Sequence, residues 1–498
     1  MIFNSFHFLI FFPIVVFIYF KTPQRWRWVH LLAASYYFYM AWNPTYILLI
    51  MGSTLIDYFV SLKMSEISEK RKRRKYLLLS LLSNLGLLFT FKYFNFFSST
   101  GNLLFEKLSI FYHFPKLSVL LPVGISFYTF QTLSYTIDVY HGKIKPEKHL
   151  GIFAVYVSFF PQLVAGPIER ARNLLPQFRQ KFKFNYEYVR YGLILMLWGF
   201  FKKVVIADRL ATFVDPIYDN PTAHNGVESL IATYFFAFQI FCDFSGYSDI
   251  AIGAALILGF KLMQNFRRPY FAQSIQEFWG RWHISLSTWF RDYLYIPLGG
   301  NRVSKVRWLI NIMIVFLVSG LWHGAYYTFI IWGFLHGFYI VMGHLTSKAR
   351  KKVLDATGLV NFPRFIKFIN ILITFHLALF AWIFFRAKYI TDAKTIISNI
   401  LNIKFNELSN VLTHFVLSLG ELKILKSDVF TLYESRIAIY ALLIMEAVHF
   451  LQERNFDLKN NLLGRPVIQR WSAYMLFTLM VIFFGKFSEE QQFIYFQF

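Results

Sequence analysis

The sequence predicts an all-α, polytopic integral membrane protein, and three observations predict it. Of its 498 residues, 56% are hydrophobic and 16% charged, where a soluble domain carries about a quarter charged residues. Apolar runs recur from end to end at the length a helix needs to cross a bilayer, about 20 residues at roughly 1.5 Å rise. Most of the lysines and arginines behind the +24 charge lie between these runs.

Taken in order, the runs fall near 5–20, 29–42, 45–62, 76–94, 118–138, 190–207, 228–260, 308–322, 325–343, 368–385, 433–450 and 471–485, about twelve transmembrane helices. The first, in "MIFNSFHFLIFFPIVVFIYF", has no basic region before it and no small-residue cleavage site after it, so it reads as a retained span. The 150–166 run is too brief to cross and is expected to be re-entrant. Between 261 and 307 the text "KLMQNFRRPYFAQSIQEFWGRWHISLSTWFRDYLYIPLGGNRVSK" interleaves aromatics with positive charges. This predicts amphipathic helices at the interface or dipping into the protein, closed by a turn at "PLGGN". The mixed-polarity 391–430 stretch is expected to lie flat on the outer face. No Pro-, Gly- or Ser-rich linker and no internal repeat divides the chain, so residues 1–498 read as a single domain.

Most of the 51 lysines and arginines fall in alternate loops, with "EKRKRRK" (69–75) the densest run. The positive-inside rule then places those loops in the cytoplasm and both termini on the outer face, and the same loops favour anionic lipid headgroups. No nucleic-acid motif accompanies the basicity. A single cysteine, Cys242, excludes an intramolecular disulfide and a cysteine metal cluster, and no H-E-x-x-H, Walker or G-x-S-x-G motif is present.

Ionisable groups inside apolar spans are costly and mark function. In "FLVSGLWHGAYYTFIIWGFLHG" (316–337) two imidazoles interrupt an apolar segment. His323 lies where two apolar stretches meet at a glycine, a break suited to a cavity wall; its alternative role is an interhelical hydrogen bond. On one continuous helix His336 would lie about 20 Å further along, so it reads as a packing or hydrogen-bonding residue. His283, in "RWHISLS", is either an interfacial or a functional histidine, and His376 reads as a helix–helix contact. Lys202 and Lys203 either snorkel or line a cavity that attracts an anion. Asp243 and Asp249 in "DFSGYSD" suggest a cation site, a helix kink or, more weakly, a carboxylate pair. A neutral imidazole at a membrane cavity suits the removal of a proton from a hydroxyl attacking an acyl carbonyl.

The blocks "LPVGISFYTFQTLSYTIDVYHG" (121–142), "FFPQLVAGPIERA" (159–171), "FKKVVIADRLA" (201–211), "FQIFCDFSGYSDIAIG" (238–253), "EFWGRWHISLSTWFRDYLYIPLGGNR" (277–302), "SGLWHGAYYTFIIWGFLHG" (319–337), "FAWIFFRA" (380–387) and the terminal "FIYFQF" together resemble the membrane-bound O-acyltransferases. "AGPIERA" and "FQTLSYTIDVY" favour the alginate O-acetylation branch over the teichoic-acid D-alanyl branch. The resemblance implies a ring of tilted helices around a thin centre, with a funnel and a tunnel. It places the family's signature histidine, in its Trp-His-Gly context, on His323, and its companion on His283.

The expected activity is therefore transfer of an acyl group, most simply acetyl, from acetyl-CoA or another cytoplasmic thioester, with no bound cofactor and no metal. His323 is expected as general base, with His283 orienting the thioester or polarising its carbonyl. Lys202, Lys203, Arg281, Trp282, Asp292 and Trp322 are candidates for donor binding or tunnel lining. The acceptor is expected to be an exported polysaccharide or a hydroxyl on a periplasmic serine-hydrolase-like (SGNH) partner, in the bacterial inner membrane. A flippase for lipid-linked glycans, with histidines coupling protons, is the alternative, although the repeats common in transporters are absent; a scaffold for an export complex is a third.

Overall fold

The computed structural model describes residues 1–404, 432–487 and 493–494. Most of the stretch expected to lie flat on the outer face therefore lies outside the described residues. The described chain is helical throughout, with no strand among its elements. It divides into two compact units, one holding residues 1–196 and 247–264, the other 197–246 and 265–494.

Each of the expected spans coincides with a helix, but seven helices among the described residues are long and apolar enough to cross a membrane. They are Pro44–Glu66, Lys70–Lys107, Gly226–Ile257, Lys305–His323, Tyr327–Leu345, Pro363–Arg386 and Val467–Phe484. Large apolar side chains on these helices stand exposed, among them Leu48, Leu82, Phe368 and Phe483. That is the outward face a helix presents to hydrocarbon and not to water. The count falls short of twelve because several expected spans are short or carry polar residues. Phe6–Lys21 has 16 residues, and Ile125–Tyr140 carries serines, threonines and a glutamine that are all buried.

In the first unit we label α1 Phe6–Lys21, α2 Arg27–Met40, α3 Ile47–Glu66, α4 Lys70–Leu88 and α5 Ile125–Tyr140. Ser5 caps α1 by accepting from the Phe8 N–H, and Pro23 follows its end. Helices α3, α4 and α5 meet at a buried carboxylate. Ser80 Oγ donates to Asp57 Oδ1 at 2.5 Å, and Asn84 Nδ2 donates to both Asp57 oxygens at 3.0 and 2.9 Å. Asn84 Oδ1 in turn accepts from Ser53 and Thr132. Polar positions on three helices thus satisfy one another where water has no access. The short 150–166 run forms a nine-residue helix, Leu150–Ser158, and a single turn, Phe160–Leu163.

In the second unit the elements around the site are α6 Gly226–Ile257 (in its part before 247), α7 Ile275–Arg281, α8 Ile284–Phe290, α9 Lys305–His323, α10 Tyr327–Leu345, α11 Pro363–Arg386 and α12 Leu432–Glu453. The 261–307 segment dips into the protein: Trp279, Trp282, His283, Ser285 and Leu286 are all buried. Helix α9 ends at Gly324, so α9 and α10 form a hairpin and not the continuous helix that would separate His323 from His336. Their crossing is backbone against backbone. A Cβ at Gly320 would lie 2.3 Å from the Phe329 carbonyl oxygen, and one at Gly333 2.3 Å from that of Phe316.

Two outcomes follow for purified protein melted in detergent. Gly320→Val or Gly333→Val forces the hairpin apart and lowers stability by about 1–3 kcal/mol. Asn84→Leu, which takes two hydrogen bonds from a buried carboxylate, costs about 1–3 kcal/mol, more than Asp57→Asn, which removes the charge along with the need for donors.

Candidate active site

The backbone of the second unit makes His283 a special position. It joins α7 to α8 with φ 42° and ψ 53°, a left-handed conformation that a non-glycine residue holds only when its surroundings over-determine it. The surroundings here do so. The Arg267 N–H donates to the Arg281 carbonyl at 2.8 Å, and the Ile284 N–H to the Asn265 carbonyl at 2.9 Å. Asn265 Oδ1 accepts from the Ser285 N–H at 3.2 Å and from Ser285 Oγ at 2.9 Å, and lies 3.2 Å from His283 Nδ1. On the other side Arg281 is clamped: its guanidinium reaches both Glu453 oxygens at 3.0 Å and Glu277 at 2.6 Å, while Arg268 Nε reaches Glu453 at 2.7 Å.

His283 is fully buried. The edge-on ring of Phe244 sits 4.6 Å from it and Phe266 lies 6.4 Å away. Burial pushes its imidazole down to about 3, so the ring is neutral through the physiological range.

His323 is the last residue of α9 and is also buried. Its ring packs edge-on against Trp322 at 5.0 Å, Trp332 at 4.9 Å and Phe385 at 5.3 Å. Trp322 also stands 6.1 Å from His283, so the two expected catalytic imidazoles flank one indole. His336 packs on the other neighbour, 4.9 Å from Trp332. Its Nδ1 accepts from Trp279 Nε1 at 3.2 Å, the hydrogen-bonding role read from the sequence. His376 pairs with Tyr234 at 2.7 Å, a helix–helix contact.

A cavity of about 510 Å³ lies between the 276–295 segment and the α9–α10 hairpin. Its lining includes Arg291, Trp308 and His344 together with Trp279, Phe316 and Ser319. Trp308 is fixed by donating to Tyr295 Oη at 2.8 Å and by packing on His344 at 4.6 Å. Arg291 is exposed, with its Nε 2.9 Å from Asp292. Ser319 precedes His323 by one helical turn, about 6 Å of rise.

The remaining candidates occupy other places. Lys203, on a π-helical turn (Phe201–Ala207), is buried between Asp208 Oδ1 at 2.6 Å and Asp243 Oδ1 at 2.7 Å. Asp243 also accepts from the Ile494 N–H at 2.8 Å. Lys202 donates to Ser245 Oγ at 2.8 Å and lies over the Phe241 ring. Arg281 is spent on Glu453 and Glu277, and Trp282 is packed among Phe266, Phe278 and Trp382. The structure therefore brings His283, Trp322 and His323 together, gives Arg291 rather than Asp292 to the cavity, and ties Lys202, Lys203 and Arg281 into internal pairs.

Sequence reasoning missed Asn265, Glu453 and Trp332. The asparagine had a readable signal, the second of two neighbouring amides in "QNFRRPY". Glu453 had none, because 172 residues separate it from Arg281.

Comparison with known proteins places this geometry. A family model described as MBOAT, membrane-bound O-acyltransferase family, matches residues 149–389, which include His283, His323 and every residue that lines the cavity. The chain is 34% identical to a peptidoglycan O-acetyltransferase of Helicobacter pylori, over 96% of this chain and 92% of that protein. It is 40% identical to a probable alginate O-acetylase, AlgI, of Pseudomonas aeruginosa, over 78% of this chain and 72% of that one. It is 30% identical to a teichoic acid D-alanyltransferase of Bacillus subtilis, over 55% and 71% respectively. Matched along nearly its full length by a relative of this kind, the chain belongs to the membrane-bound O-acyltransferase family.

Proposed function

We propose that this enzyme moves an acetyl group from a cytoplasmic thioester, acetyl-CoA, to a hydroxyl used in O-acetylation of an exported polysaccharide in the bacterial inner membrane. The observation that carries the reading is the cavity, whose lining includes the exposed Arg291 and, one helical turn before His323, Ser319. Phosphates of the donor bind at Arg291, with Arg302, Lys305 and Arg307 in the chain just ahead of Trp308. The thioester arm lies along the wall made by Trp308, Ile312, Phe316 and Trp279.

At the inner end the two imidazoles handle the proton of the accepting hydroxyl. Its oxygen forms the new C–O bond, the thioester C–S bond breaks, and the departing thiolate takes up a proton to leave as a thiol. Proton transfer of this kind accelerates the step by about 10²–10⁴-fold. The charged carrier stays on its own side of the membrane, and only the acyl group advances. Relatives named for alginate and peptidoglycan O-acetylation support a glycan as the final acceptor. The glycan receives the acetyl group directly or through a hydroxyl on a periplasmic SGNH partner. Basic loops held in the cytoplasm leave both termini outside.

The test uses membranes carrying wild type, His323→Ala and His283→Ala at matched abundance, supplied with labelled acetyl-CoA, with the neighbouring periplasmic protein present and then omitted. Acetyl ester on exported polysaccharide falls by about 10²-fold or more in His323→Ala; full labelling would exclude acyl transfer through that imidazole and return the chain to transport. In the same assay Arg291→Ala raises KM for acetyl-CoA by about 10-fold, the loss of one charge-assisted phosphate contact, with kcat little changed.

A further inference from the structure

We infer that Trp279 determines the size of the acyl group: held in place by His336, its indole walls the part of the cavity nearest His323 and confines the donor to short acyl chains. This rests on the acyl-transfer reading above and deepens it by naming the substrate class.

Helix α9 gives the cavity its direction. Trp308, Ile312, Val315, Phe316 and Ser319 line it from this helix, recurring every three or four residues as one helical face does. From Trp308 to Ser319 the helix rises about 16 Å, and its last residue is His323. Trp279 belongs to the His323 side of that path. Its ring lies 5.5 Å from Phe316 and 5.5 Å from Trp332, and Trp332 is 4.9 Å from the His323 ring. Trp308, the other tryptophan of the lining, precedes His323 by about 22 Å of rise. It meets the carrier of the acyl group, and Trp279 meets the acyl group itself.

An indole held loosely would swing aside for a longer chain, and its contacts prevent this. Trp279 Nε1 donates to His336 Nδ1 at 3.2 Å. The indole N–H can only donate, so Nδ1 carries the lone pair and His336 is the neutral tautomer with its proton on Nε2. The acceptor is itself immobile. His336 is fully buried, parallel to Phe278 at 6.1 Å and edge-on to Trp332 at 4.9 Å. Phe278, Phe316 and Trp332 all pack edge-on to the Trp279 ring, and Trp332 is backed in turn by Trp382 at 6.0 Å. Both of those tryptophans are fully buried. In so close-packed a surround, each methylene added beyond acetyl displaces the indole or the rings behind it, and overpacking of this kind is costly. His336 is thus a positioning residue that acts through Trp279.

The experiment supplies membranes carrying wild type, Trp279→Ala, Trp279→Phe, His336→Phe and His336→Asn at matched abundance with labelled acetyl-, butyryl- or hexanoyl-CoA. The readout is kcat/KM for each donor. Wild type prefers acetyl- to butyryl-CoA by about 100-fold or more, since one methylene is worth about 10–200-fold at a pocket wall. Trp279→Ala lowers that preference to about 10-fold or less, with butyryl transfer rising while acetyl transfer falls. Trp279→Phe, a smaller ring without the N–H, moves the preference the same way by less. His336→Phe keeps a packed ring but removes the acceptor, and the preference falls. His336→Asn retains an acceptor oxygen near the position of Nδ1, and the preference stays within about three-fold of wild type.

A general loosening of the enzyme would lower transfer from every donor together and leave the preference unchanged. An unchanged preference in Trp279→Ala and Trp279→Phe therefore overturns the inference, as does a wild type that uses butyryl-CoA as well as acetyl-CoA. An unchanged preference in His336→Phe overturns the role given to His336. Should Trp279→Ala not accumulate, Trp279→Phe decides. A wild type that transfers no acyl group from any of the three donors overturns the acyl-transfer reading itself, so the two failures are told apart.

Discussion

In hydrocarbon a backbone N–H or C=O without a partner costs several kcal/mol, and this constraint governs the site. The 261–304 segment has too little regular helix to satisfy itself. It persists because the protein surrounds it and each exposed peptide group finds an acceptor nearby. The Arg267 N–H takes the Arg281 carbonyl, the Ile284 N–H takes that of Asn265, and the Ser285 N–H takes the Asn265 side chain. The reactive geometry is a by-product of that closure. His283 can occupy a left-handed conformation because its neighbours on both sides are already fixed.

The same economy explains why so many basic residues do not bind ligand. A buried cation must be paired, and Lys203, Arg281 and Arg268 are each paired with carboxylates that come from other elements. These pairs hold helices in register and leave the local field near neutral. The buried His283 imidazole can then remain uncharged. Arg291, exposed on the cavity lining and 2.9 Å from Asp292, keeps its charge within reach of water.

Much of this was legible in the chain. Helix positions followed from apolar runs, and the break at Gly324 from the "WHGAYY" interruption. His323 stood out as a titratable ring in a segment that otherwise avoids charge, whereas His283, set among arginines and carboxylates, was singled out by its motif. The number of crossing helices was less legible. Ile125–Tyr140 reads as a span by position, yet its serines and threonines are there to meet Asp57, Asn84 and each other, and so lower its hydropathy. His336 was placed far from His323 by the rise of one helix, and the hairpin brought both onto Trp332.

The sequence by itself determined class, because hydrophobic length acts locally and is summed along the chain. It also marked His323 as a candidate, because an ionisable ring in an apolar segment is costly wherever the fold puts it. Only the tertiary structure decided which charges are spent on pairing and which arginine meets the cavity. Those depend on contacts between residues far apart in the chain, such as Arg281 with Glu453.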